Sequence, residues 1–150
     1  ALPADGKLIT LEADSMHAEV ARANIQAAGL SSKVSVRTGK ALEILPKLQA
    51  EKIHPFDLFF IDADKTNNPQ YFQWALKLAH PGSVIVMDNV VREGEILDQQ
   101  NNDPRVQGTR QALVAIAQES GVSTTVLQTV GSKGHDGFAL VLVDEIDKPI

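Results

Sequence analysis

In "FFIDADKT", Asp62, Asp64 and Lys65 fall within four residues of each other, directly after an apolar run. Asp88 and Asn89 follow the apolar "SVIVM" in the same way. Two carboxylates and an amide oxygen are hard donors, so Asp62, Asp88 and Asn89 together suit magnesium, manganese or calcium rather than zinc. One strand-end aspartate reads as a helix cap or a turn; a DxD and a DN, each behind an apolar strand, read as a metal site. Lys65 lies three residues past Asp62. Beside a divalent cation, like-charge repulsion favours its neutral amine, the form that serves as a general base. Alone, it reads as a solvated surface lysine. Glu12 ends the run "KLITLE", where nucleotide-binding α/β folds place the carboxylate that accepts hydrogen bonds from ribose hydroxyls. Such an acid lies ~20 residues past the start of a glycine-rich turn. Only eleven residues precede Glu12, so that turn is expected before Ala1.

These residues need elements to position them. Lys7–Glu12 reads as a buried strand, followed by a helix capped by Asp14 or Ser15, running to about Ala28 and stopped by Gly29. Val34–Arg37 is a second strand. A short helix over Gly39–Leu48 follows, its regularity limited by Pro46. Phe56–Ile61 is a third strand, Pro69–Leu78 a helix with proline in its first turn, and Ser83–Met87 a fourth strand after the turn His80-Pro81-Gly82. Arg92–Arg105 reads as an exposed polar loop. Val106, Leu113 and Ala117 line one face of a helix ending near Gly121. Val122–Val130 and Phe138–Val143 are strands joined by "GSKGHDG", which suits an antiparallel hairpin. Alternating strands and helices imply an α/β fold, mostly parallel, with crossovers. In such sheets ligands gather outside the carboxyl ends of the strands. That rule puts Glu12, Thr38, Gly39, Asp62, Asp64, Asp88 and Asn89 on one rim.

The chain has 150 residues, which suits one domain over 1–150. Its 43% hydrophobic and 22% charged residues are those of an ordinary globular protein. A net charge of −5 disfavours nucleic acid or an anionic membrane as the main partner. The chain has no cysteine, which excludes disulfides, thiolate metal sites and a cysteine nucleophile. With no basic-then-apolar leader, a cytoplasmic protein is expected. The opening "ALPADGKLITLE" reads like the middle of a domain, so a missing N-terminal part is expected. The glycines of "GSKGHDG" do not match a phosphate-binding loop and read as hairpin residues. His17, His54, His80 and His135 lack metal-ligand spacing. Tyr71, Phe72 and Trp74 read as core rather than a binding cage.

"FDLFFIDADKTNNPQYF", then "GSVIVMDNVVREG", then "DPRVQG" resemble the metal-dependent O-methyltransferases of the caffeoyl-CoA and catechol type, bacterial branch. "LEAD", "GKALEILP" and "GSKGHDGFALVLV" fit the same family, so the resemblance covers essentially the whole chain in order. It implies a Rossmann-like methyltransferase sheet, mostly parallel with an antiparallel C-terminal hairpin and truncated at its N-terminus. It implies S-adenosylmethionine and a divalent metal, the latter on Asp62, Asp88 and Asn89. Gly39, Ala41, Asp62 and Asp64 would lie against the cofactor, Glu12 on its ribose hydroxyls, and Lys65, with Asp62, would be catalytic, the lysine taking the substrate proton. Adjacent hydroxyls of a phenolic or catechol-like acceptor would chelate the metal, which lowers the hydroxyl pKa. A homodimer is expected, with the Arg92–Arg105 loop and the helix after it as a candidate interface.

Two features depart from the family. Glu93-Gly94 stands where plant caffeoyl-CoA enzymes carry an asparagine-glycine pair, which argues against a coenzyme A thioester. The glycine-rich motif and first strand, which the family places between the strands matching Lys7–Glu12 and Phe56–Ile61, have no counterpart in this chain. Little activity is therefore expected of 1–150 alone. Two rival readings remain. "FFIDADKT" matches the DxDxT of haloacid-dehalogenase-type phosphatases, with Asp62 as nucleophile and Asp64 as acid/base. Alternatively, the chain is an inactive folded fragment.

Overall fold

Leu8–Glu12 (β1) and Val34–Thr38 (β2) pair in parallel, Leu8 opposite Val34 and Glu12 opposite Thr38. Parallel neighbours need a crossover, and Ser15–Ala27 (α1) supplies it. Asp14 rather than Ser15 caps α1, its carboxylate accepting hydrogen bonds from the backbone of Met16 and His17. Ala41–Ala50 (α2) follows β2 and stays continuous through Pro46. A computed structural model describes residues 2–53, 55–132 and 134–145; His54, one of the four histidines, lies outside the described residues. The chain divides into two compact units, Ala1–Ile53 and His54–Ile150.

In the second unit, Leu58–Ile61 (β3), Val84–Asp88 (β4), Val122–Gly131 (β5) and Gly134–Val143 (β6) form one sheet in the order β3-β4-β6-β5. β3 and β4 are parallel; β4–β6 and β5–β6 are antiparallel. Asn68–Leu78 (α3), with Pro69 in its first turn, crosses from β3 to β4. Pro104–Gln118 (α4) precedes the hairpin and is capped by Asp103. Phe72, Leu78, Ile85, Met87, Val106 and Val141 are fully buried and form the centre of the core. A Rossmann-like parallel arrangement ending in an antiparallel hairpin is the fold expected from the sequence.

Some expectations are corrected. Strand β3 begins at Leu58 because the backbone N–H of Phe56 bonds the carbonyl of Leu78 at the end of α3. It is not buried throughout: β3 is the edge of its sheet, and Leu58 and Phe60 are 61% and 65% exposed. β1 is likewise only partly buried. Along α4 the buried residues are Val106, Gly108, Thr109, Ala112 and Ile116, while Ala117 is exposed. Counting apolar residues misplaced that face because glycine and threonine occupy its contact points. Strand β6 starts at Gly134 rather than Phe138, since its pairing with β5 continues to Gly131↔Gly134.

Candidate functional site

The register of β3 and β4 sets the site. Ile61 pairs with Met87, so Asp62 and Asp88 emerge side by side from adjacent parallel strands, about 5 Å apart at the backbone. Asp88 also pairs with Phe138 of β6. The next residue, Asn89, holds a left-handed backbone (φ 59°), and its N–H bonds Asp88 Oδ1 at 2.8 Å. Asp62, Asp88 and Asn89 thus come together at one end of the sheet.

Lys65 opens the 3-10 turn Lys65–Asn67 that joins β3 to α3. Its Nζ donates to Asp62 Oδ1 at 2.8 Å. The lysine side chain is only 10% exposed while its aspartate is 50% exposed, so the pair sits at the rim with the cation tucked inward. Helix α4 holds this turn in place. A Cβ at Gly108 would lie 2.3 Å from the Lys65 carbonyl oxygen and 2.7 Å from Thr66 Cα. Only glycine lets the turn and the helix approach so closely.

Asp64 serves a different set of partners. Its carboxylate accepts hydrogen bonds from the Tyr71 hydroxyl and the Asn67 amide. Burial, and then the bond to Asp64, raise the Tyr71 phenol well above its usual range. Tyr71 therefore stays a donor at any working pH and orients Asp64.

In the first unit, Glu12 and Gly39 meet where β1 and β2 end. The Gly39 N–H bonds the Glu12 carbonyl at 2.8 Å, and Glu12 Oε1 accepts from the Asp14 N–H at 2.8 Å. Ala41 opens α2. The expected residues therefore fall into two groups: Glu12, Gly39 and Ala41 in one unit, and Asp62, Asp64, Lys65, Asp88 and Asn89 in the other.

The reading of "GSKGHDG" as mere hairpin missed Asp136. Its Oδ1 accepts the backbone N–H groups of Val91, Arg92 and Gly137 at 3.1, 2.9 and 2.8 Å. Burial alone would raise its carboxyl; the N–H groups of Arg92, Gly137 and Val91 and the Asn89 side chain outweigh that and hold it below the usual range. An aspartate between His135 and Gly137, just ahead of the apolar run Phe138–Val143, was the available signal. The glycine inside the "DPRVQG" helix was the signal for Gly108.

The donor set fits a divalent cation. Two carboxylates at adjacent strand ends and an amide oxygen are all hard ligands. Lys65 Nζ bonds one oxygen of this set, Asp62 Oδ1, at 2.8 Å. Among the described residues no group of three or more histidine or acidic side chains gathers as a metal cluster; Asp62 and Asp88 supply two carboxylates, and the third donor is the amide oxygen of Asn89.

Parallel strands with helical crossovers, closed by an antiparallel hairpin and carrying acids at the strand ends, define a Rossmann-like methyltransferase fold. The chain belongs to the O-methyltransferase family, whose model matches residues 1–143. It is 52% identical over 143 residues to a catechol O-methyltransferase of Niastella koreensis, covering 95% of this chain and 65% of that protein. A catechol O-methyltransferase of Mycobacterium tuberculosis is 50% identical over 138 residues, covering 92% and 61%. Among solved structures, an O-methyltransferase from Bacillus cereus in complex with SAH superposes with a TM-score of 0.93 at 57% identity, covering 95% of this chain and 65% of that one. The chain thus spans less than two thirds of the length of each of these relatives. The phosphatase reading of Asp62 finds no support in these matches.

Proposed function

We propose that this chain contributes to methyl transfer from S-adenosylmethionine to a hydroxyl of a catechol-type acceptor, assisted by a divalent cation. One observation carries the reading. The β3–β4 register sets Asp62 beside Asp88, with Asn89 next and Lys65 hydrogen-bonded to Asp62. The names of the relatives support the acceptor class. The solved O-methyltransferases bound to SAH and to SAM support the methyl donor.

Asp62, Asp88 and Asn89 would hold the cation. When bound, it supplies Lewis acidity that makes an acceptor hydroxyl easier to deprotonate. S-adenosylmethionine supplies the sulfonium methyl. Lys65 accepts the hydroxyl proton at Nζ, and Asp62 keeps that nitrogen in place through its 2.8 Å hydrogen bond. In the first unit Glu12, Gly39 and Ala41 would hold the methyl donor; in the second, Asp64, steadied by Tyr71, is the candidate for that role. Much of the acceleration comes from positioning. The two units belong to one methyltransferase domain of a cytoplasmic homodimer in this reading.

Two titrations test the proposal. Electron paramagnetic resonance with Mn2+ should show a bound ion that Asp62→Ala and Asp88→Ala each release. Calorimetry should show S-adenosylhomocysteine binding with magnesium present. Mn2+ binding that ignores both substitutions sinks the cation site, and no heat from S-adenosylhomocysteine sinks the donor site.

A further inference from the structure

The chain leaving β4 takes a course that a free peptide avoids. Three non-glycine residues within five, Asn89, Arg92 and Glu93, hold left-handed backbone with φ of 59°, 52° and 54°. Side chains with a Cβ rarely adopt that region, so the surrounding structure must impose it. Val90, between them, is fully buried, and its N–H bonds the Gly137 carbonyl at 3.0 Å.

The imposing group is a carboxylate on the hairpin. Asp136 Oδ1 gathers the N–H groups of Val91 and Arg92 together with that of Gly137. The hairpin also closes directly on this segment. A Cβ at Gly137 would lie 2.6 Å from Val91 Cγ2 and 2.4 Å from the Leu127 carbonyl. Asp136 is 45 residues from Val91 in sequence, so this anchor is tertiary rather than local.

Asn89 lies one residue before Val90, whose N–H the Gly137 carbonyl holds, and two before Val91, whose N–H Asp136 holds. The hairpin thus fixes the backbone that leaves Asn89. A group that fixes where a metal ligand sits tunes the site without touching it.

We infer that Asp136 is a positioning residue that fixes the backbone after Asn89, and through it the place of the oxygen Asn89 offers to a divalent cation beside Asp62 and Asp88. This rests on the cation site proposed above. Asp136 itself coordinates nothing.

The test is Mn2+ affinity by electron paramagnetic resonance, with circular dichroism as the check on folding. Asp136→Asn keeps the shape and an oxygen for the backbone N–H groups but, without the charge, weakens the hold on those of Val91 and Arg92. Its Mn2+ affinity should fall about 10–100-fold, as for other outer-shell partners of metal ligands. Asp136→Ala should lose at least as much; if it does not fold, Asp136→Asn carries the decision. In an Asn89→Ala background the further effect of Asp136→Asn should shrink to within about twofold, because coupled residues are not additive. A full effect in that background means that Asp136 acts by its charge alone and overturns the inference. So does a folded Asp136→Asn with wild-type affinity while Asp62→Ala has lost the ion. If Asp62→Ala binds Mn2+ like the wild type, the cation site itself is wrong and this inference falls with it.

Discussion

The two units of the molecule are built differently. In Ala1–Ile53 only Ala18, Ile44 and Leu48 are buried hydrophobic side chains among the described residues, under a two-stranded sheet. In His54–Ile150 the four-stranded sheet and its helices bury Phe72, Leu78, Ile85, Met87, Val90, Val106, Val141 and Val143 almost completely. That second unit also buries polar groups, Lys65, Asn68, Ser83 and Thr109. Burying polar side chains is costly unless they find partners, and Lys65 has Asp62 as its partner. The unit with the core can therefore hold a charged side chain such as Lys65 at a fixed place. The first unit offers Glu12 and Gly39 at strand ends with little core behind them. Under the proposed function, the second unit would hold the cation and the proton acceptor, and Glu12 and Gly39 would be the first unit's share.

The sharpest way to break this division is to damage one core alone. Phe72→Ala should cost about 3–5 kcal/mol and speed amide exchange through β3, β4 and β6. If the division holds, amides of β1 and β2 keep their exchange rates; equal acceleration in all five strands would break it. The ligands should divide the same way. Asp88→Ala should weaken Mn2+ binding beyond the ~10–100-fold typical of outer-shell partners, while Glu12→Ala should leave Mn2+ affinity alone and weaken S-adenosylhomocysteine. Parallel losses of both ligands in both variants would erase the contrast.

Gly108→Ala probes how the second unit seats its lysine. The added methyl meets the backbone of Lys65 and Thr66, so one of the two elements must shift. Overpacking of this kind costs about 1–3 kcal/mol, read as a lowered melting temperature. An unchanged melt would show that the turn yields freely. The smallest effect concerns His80, at the turn before β4. The Pro81 carbonyl, and then the Asp57 carboxylate, raise its pKa above 6.5. A raised folded pKa means that its contribution is fully present below the unfolded value and is lost as pH climbs through the folded one. The melting difference between wild type and His80→Gln should thus be largest in mild acid and shrink as pH rises above 6.5. A difference independent of pH would remove the imidazolium from the account.

Much was legible in the sequence because the controlling interactions are local. Asp14 caps α1 two and three residues ahead, Pro69 opens α3, and short apolar runs ending in acids mark β3 and β4. The pairing of Asp62 with Lys65 also spans only three residues. The resemblance of "DADK" and "DN" to the O-methyltransferases named the family for the same reason, since contiguous residues make up each motif. The extent of β6 was less legible, because its first four residues look like a turn until β5 pairs with them.

What the sequence determined by itself is the set of elements, the family, and which donor atoms the strand ends carry. Tertiary structure decided the rest. It set Asp62 beside Asp88 through the β3–β4 register, pressed α4 onto the Lys65 turn at Gly108, and brought Asp136 across 45 residues to the backbone after Asn89. Those contacts depend on register and on distances of closest approach between elements far apart in the chain. Residue types can mark the candidates, but the contacts themselves exist only once the sheet and its helices have packed.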